Sequence, residues 1–140
     1  MGQSAPLLPG VVQLTRLHNT GAAWSSFSGK TGLLAIVTIV LMLAVAWLLV
    51  KKIVRHPLGQ WSLAIILGGG IGNLIDRVRL GYVVDMLDTM FMDFPVFNVA
   101  DVFVVCGTVC ALIYYLAFYS KSDEKNWGNK VDGTDPAANK

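Results

Sequence analysis

Seven of the chain's twenty Asp, Glu, Lys and Arg residues fall in one stretch, Gly68 to Asp101: Asp76, Arg77, Arg79, Asp85, Asp88, Asp93 and Asp101. Two very apolar runs flank it, so charge is crowded where lipid-like sequence stops and starts. Asn73, Asp76 and Arg77 are spaced i, i+3, i+4 and share a face if the preceding helix continues that far. Asn98 and Asp101 are again i, i+3, at the start of the next run, and Asp85 lies between the two sets. Two helix ends and their connection can therefore bring Asp85 and Asp101 together. A carboxylate at the centre of a membrane helix costs on the order of 2.5 to 3.5 kcal/mol on insertion scales, less near the surface, and marks function by default. Two neighbouring carboxylates cannot both ionise easily, so one keeps a proton while the other acts as base. Such a pair activates water and protonates a leaving amide.

Plainer readings of the same residues stay beside this one. Asp76 and Arg77 suit an ion pair closing a helix end. Asn98 and Asp101 suit a helix N-cap, where Asn, Asp and first-turn acids are favoured. Asp88 and Asp93 read as solvated loop charges. Asp85, Asp88 and Asp93 lack an accompanying His and the spacing of a calcium loop, so no metal or other cofactor is expected. His18 and His56 are isolated, as surface residues are. Cys106 and Cys110 lie a turn apart on one helical face, outside any CxxC pattern, and read as small buried apolar residues.

The elements that position these residues follow from composition. Of 140 residues, 54% are hydrophobic and 14% charged, against roughly 25% charged in soluble proteins. The membrane is the expected solvent. A net charge of +2 with scattered basic residues argues against a nucleic-acid surface. Residues 33–50 are uncharged and long enough to span, and Lys51, Lys52 and Arg55 stop them. Pro57 and Gly59 turn the chain into a weaker span, 58–75, where Gly68 and Gly72 stand in GxxxG spacing for close helix approach. The glycine cluster Gly68, Gly69, Gly70 and Gly72 lacks the strand and GK[ST] ending of a phosphate loop. A third span covers 99–119, and 121–140 reads as a polar, disordered cytoplasmic tail.

Residues 1–30 lack the basic start and apolar core of a signal peptide, so the mature chain is expected to keep them. Pro6, Pro9 and Gly10 predict irregular structure, Val11 to Leu17 a short strand, and His18 to Gly21 a turn. Gly21, Ala22, Ala23 and Trp24 suit a close ligand approach or an interfacial anchor. The positive-inside rule places Lys51, Lys52, Arg55 and the tail in the cytoplasm, and so residues 1–30 and the 76–98 loop outside. The expected fold is an all-α integral membrane protein of three transmembrane helices with a small external β-like segment.

Four ordered blocks then carry a resemblance: HNTGAAW (18–24), GGGIGNLIDRV (68–78), GYVVDM (81–86) and FNVAD (97–101). Together they resemble the signal peptidase II, or lipoprotein signal peptidase, family of bacterial membrane aspartic endopeptidases, from Pro6 to Tyr119. The resemblance implies that Asp85 and Asp101 are the catalytic dyad and that Asn19, Asn73, Arg77 and Asn98 line the site. It implies supporting places for Gly21 and Asp76. The implied substrate is a prolipoprotein bearing a diacylglyceryl group on its lipobox cysteine, cut just before that cysteine. Membrane lipid is the other implied partner, and the chain is expected to be a monomer of the bacterial cytoplasmic (inner) membrane with its site at the external face. Family members resemble four-helix proteins whose first span precedes the first external block; this chain begins a few residues before that block, so three spans are expected, in a peptidase domain of 1–120. Trp24 stands where the family more often has Phe. A family member that binds signal peptides without cutting them, or a three-span structural or transporter subunit, are the alternatives.

Overall fold

The computed structural model describes residues 4–22, 26–119 and Asp132. The expectations for Ala23, Trp24 and the 121–140 tail fall outside the described residues, Asp132 apart. The elements run β1 (Ala5–Leu8), β2 (Val12–Asn19), α1 (Thr31–Val50), α2 (Pro57–Leu80), β3 (Val83–Thr89) and α3 (Val99–Ala117). All three helices are long and apolar enough to cross a membrane. The 20 residues of α1 give a rod of about 30 Å, the thickness of a bilayer core.

Local chemistry sets the helix ends that matter. His56 caps α2: its Nδ1 accepts from the Leu58 N–H at 3.2 Å, and Pro57 occupies the first helical position, where a missing N–H costs nothing. The same imidazole stacks on Tyr114 and Phe118, so His56 is not the isolated surface residue its sequence context predicts. His18 is exposed, and it stacks on Tyr82 with ring centroids 4.1 Å apart. At the far end α2 runs past residue 75 to Leu80 and stops at Gly81, whose φ of +80° suits glycine and whose N–H reaches Arg77 O at 3.1 Å.

Close approach of α2 and α3 depends on glycine, and of the expected pair Gly72 takes part while Gly68 does not. A Cβ at Gly69 would strike the Ala100 carbonyl and Val104, one at Gly72 would press on Ala100, and one at Gly107 would meet Ile66 and the Ser62 carbonyl. A Cβ at Gly70 would strike Met42 of α1, whereas one at Gly68 would meet nothing within 4 Å. Gly69, Gly72 and Gly107 therefore make the α2–α3 contact and Gly70 the α1–α2 contact. Gly68 faces outward because it lies about 100° round the helix from Gly69. Cys106 is exposed and Cys110 half-buried, so neither is the core residue expected. In α3 the core-facing positions belong to Gly107 and Tyr114.

The segment before α1 and the 76–98 connection are more ordered than their sequences suggest. The three strands form one antiparallel sheet in the order β1-β2-β3. The predicted irregular start is instead strand β1; its Pro6 is tolerated because β1 is an edge strand. Leu8, Pro9, Gly10 and Val11 make the hairpin turn, with Val11 N–H on Leu8 O at 2.9 Å and Gly10 at φ +74°. His18 and Asn19, read from sequence as turn, finish β2, and Val83–Thr89, read as loop, is β3. Pairing explains both: half-polar strands this short gain order only from partners far away in sequence. A register shift between Leu14 and Leu17 inserts an extra β2 residue, so both leucines oppose odd-numbered β3 residues, Leu87 and Asp85.

Candidate active site

β3 is tethered at both ends to helix termini. It follows Gly81 of the α2 cap, and its Leu87 bridges to Phe97, the residue before the α3 cap. Asp76 supports the first junction: its Oδ2 accepts from Val84 N–H at 3.1 Å. The expected Asp76–Arg77 ion pair gives way to this bond, because consecutive helical residues point in different directions. Asp88, expected to be a solvated charge, is half-buried and accepts from Gln13 Nε2 at 2.7 Å across the β2–β3 pair. Asp93 is exposed. Asp85, Asp88 and Asp93 do not converge, and among the described residues no three His, Cys, Asp or Glu side chains form a group that could hold a metal.

The α3 start is a complete capping box. Asn98 Oδ1 accepts from Asp101 N–H and Asp101 Oδ2 accepts from Asn98 N–H, both at 3.0 Å. This plainer reading of Asp101 is correct and accounts for only one of its oxygens. Asp101 Oδ1 accepts from Asn73 Nδ2 of α2 at 2.7 Å. Asn98 Nδ2 donates both to Asn73 Oδ1 at 2.9 Å and to Asp85 Oδ1 at 3.0 Å. Two asparagine amides thus bridge the carboxylates of Asp85 and Asp101. On the other side, Asn19 Nδ2 donates to Asp85 Oδ2 at 2.9 Å, while Gly21 N–H holds Asn19 Oδ1 at 2.9 Å and so fixes which way that amide points. Arg77 Nη2 donates to Gly21 O at 3.2 Å, and its Nε is buried with no hydrogen-bond partner among the described residues.

All eight residues singled out in the sequence therefore meet in one network or brace it: Asp85, Asp101, Asn19, Asn73, Asn98, Arg77 and Gly21 directly, and Asp76 through Val84. Five of them, Asn19, Asn73, Arg77, Asp85 and Asp101, border a cavity of about 580 Å³. The rest of its wall is Ala22, where the sequence suggested close ligand approach, with Leu17 and Val83 from the sheet, Phe94 to Phe97 from the connection, and Val102, Val104, Val105 and Cys106 from α3, none of which the sequence had placed at a site. The α3 set lies one, three, four and five residues after Asp101, a helical-face spacing that the sequence does contain. The result is a polar cluster in the wall of an otherwise apolar chamber, a common design of ligand sites.

Asp85 is 1% exposed. Burial holds its carboxyl above the ordinary carboxylate range; the amides of Asn19 and Asn98 pull the other way, the charge of Asp101 adds to the rise, and Arg77 opposes it. A raised folded-state value stabilises the protein below the ordinary value of 3.8, and that contribution is lost as pH rises through the raised one. Compared with Asp85→Asn, the native chain should lose thermal stability across that window and show no further relative loss above it. Unfolding temperatures measured in detergent over a pH series check this; a constant difference between the two proteins would remove burial of the charge as the cause.

Amide-bridged carboxylates where membrane-length helices meet a sheet can do the acid–base chemistry of an aspartic peptidase at a membrane. Over residues 1–117 the chain matches the family described as signal peptidase (SPase) II, and it belongs to that family. It is 43% identical to the lipoprotein signal peptidase of Enterococcus faecalis, over 96% of this chain and 80% of that one. To the lipoprotein signal peptidase of Lactococcus lactis subsp. cremoris it is 42% identical, over 83% and 77% respectively. A bacterial membrane enzyme structure solved by the in meso method superposes with a TM-score of 0.76 at 33% identity, covering 86% of this chain and 76% of that one.

Proposed function

We propose that this chain is the aspartic endopeptidase that removes signal peptides from diacylglyceryl-modified prolipoproteins, cutting before the lipidated cysteine, with Asp85 and Asp101 as its dyad. The observation that carries the assignment is the pair of amides joining two carboxylates that line an apolar cavity. Beside membrane-length helices, such a chamber suits a substrate with acyl chains and an apolar signal segment. Residues 1–120 are the peptidase unit, and it works as a monomer in the bacterial inner membrane with the site at the external face.

In the reaction, the dyad shares one proton. Burial favours that proton on Asp85, so Asp101 takes a proton from water as the hydroxyl oxygen attacks the scissile carbonyl carbon. The dyad then returns a proton to the amide nitrogen as the C–N bond breaks, leaving a carboxylate terminus on the signal peptide and an amine on the lipidated cysteine. Arg77 borders the cavity, and its guanidinium, tied to Asn73 O and Gly21 O, brings a positive charge beside the scissile peptide. A structural or transporter role would leave the bridged carboxylates without a joint task.

Purified chain in liposomes with diacylglyceryl-modified prolipoprotein should release the signal peptide, seen as a mass shift, and should act far more slowly on the precursor lacking lipid. Equal rates on both precursors would sink the lipid assignment. No release by a cooperatively unfolding protein would sink the enzyme assignment.

A further inference from the structure

The turn between α1 and α2 lies at the end of the helix pair opposite the dyad, and its backbone is tightly held. Ile53 N–H reaches Leu48 O at 3.2 Å and Lys52 N–H reaches Leu49 O at 3.0 Å, the paired bonds that close a helix around one left-handed residue. That residue is Lys52, at φ +49°, where glycine is the usual occupant. Ile53 beside it is buried. Gln60 Nε2 donates to Val54 O at 3.1 Å, a Cβ at Gly59 would strike Val54 and Tyr114, and His56 caps α2 while stacking on Tyr114 and Phe118. The turn is thus braced from α2 and α3, and its shape does not depend on its cations.

What the turn presents is positive. Lys51, Lys52 and Arg55 are exposed, and residues 4–75 and 102–119 contain no acidic side chain. Among the described residues neither the Lys52 nor the Arg55 side chain has a hydrogen-bond or ion-pair partner. Because α1 ends at Val50 and α2 begins at Pro57, these cations stand where a membrane-crossing pair leaves the hydrocarbon, at the depth of lipid headgroups. Trp47, one turn before Lys51, is exposed there as an interfacial aromatic is. Offsetting the α1 dipole accounts for a cation at this helix end, and Lys51 supplies it without left-handed strain. It does not account for a lysine at the one position that favours glycine, or for Arg55 beyond it.

We propose that Lys52 and Arg55, with Lys51 beside them, form a docking site for the phosphate of an anionic phospholipid headgroup. Retention of the lipid depends on its net negative charge and weakens as salt is raised. A tether here also fixes how deep the helix pair sits: Asn73 stands about 24 Å along α2 from Pro57. The proposal needs only that α1 and α2 cross a membrane and is independent of the catalytic assignment.

The test takes the full chain from micelles holding equal phosphatidylcholine and phosphatidylglycerol, counts the retained lipid by native mass spectrometry, and follows unfolding in nanodiscs of either lipid. The native chain should retain phosphatidylglycerol about fivefold or more over phosphatidylcholine, the effect of one or more cations at an anionic surface. It should also unfold at a higher temperature in the anionic discs, by a margin that salt reduces. Lys52→Gly should unfold no earlier than the native chain in phosphatidylcholine, because the backbone there favours glycine, yet lose most of the lipid preference. Lys52→Gly with Arg55→Gln should abolish it, and Arg16→Gln, which removes a cation from the sheet, should leave it intact. Equal retention of the two lipids by the native chain, or a preference kept by the double variant, would overturn the proposal. The same stabilisation from inorganic phosphate in phosphatidylcholine discs would overturn the lipid as the source of the anion. A preference that emerged only with Asp123→Asn and Glu124→Gln would overturn it too, by showing that the chain's own acidic residues occupy the turn.

Discussion

Asp85→Asn and Asp101→Asn should each lower signal-peptide release by about a thousandfold or more, the range expected when a general acid or base is lost. The double variant should be scarcely worse than either single one, because the two carboxyls work as a unit. Folding should survive. Asparagine at 101 keeps a carbonyl oxygen for the Asn98 N–H, so the cap persists. At 85 the new amide presents an NH₂ to either Asn19 or Asn98, both of which already donate there. One of those amides must rotate, a cost partly offset because a buried charge has gone. Initial rates on a lipidated prolipoprotein, with unfolding curves for each variant, decide the matter. Activity of either single variant within a few-fold of the native chain would end the dyad assignment.

The other large effect sits on a residue with no side chain. Gly69→Ala places a methyl group against the Ala100 carbonyl and Val104, so α2 and α3 must separate. Overpacking of this kind costs about 1 to 3 kcal/mol in stability. The loss of activity should be disproportionate, because Asn73, one turn along α2 from Gly69, reaches Asp101 across that same contact. Gly68→Ala, one residue away, meets open space and should change stability by no more than about 0.5 kcal/mol. Thermal unfolding and peptidase assays of the two variants side by side check the prediction. Matching behaviour would show that helix approach is not set at Gly69.

Much of this was legible in the sequence because lipid-spanning helices announce themselves by composition, and the three spans lie where charge-free runs and Lys51, Lys52 and Pro57 put them. The eight candidate residues that the structure brings into or beside one network came from four blocks of motif. What was not legible depended on partners distant along the chain. Ala5–Leu8 and Val83–Thr89 carry little strand signal of their own, and β2 organises both. The choice between Gly68 and Gly69 depends on the rotation of α2 toward α3, which a run of four small residues within five positions leaves undetermined. The roles of Asp76 and Asp88 were misread for the same reason: each finds its hydrogen-bond partner on another element, Val84 N–H and Gln13.

Pairing of β2 with β3 joins segments separated by α1 and α2, two crossings of the bilayer. During synthesis Asn19 is made first, Asp85 only after both helices, and Asp101 with the last helix. The strands can meet only when α1 and α2 stand as a completed hairpin, and the capping box that orients Asp101 forms only once α3 has begun to wind. Partly inserted chains accordingly lack the assembled centre. Completion of membrane insertion is thus the step that assembles the centre.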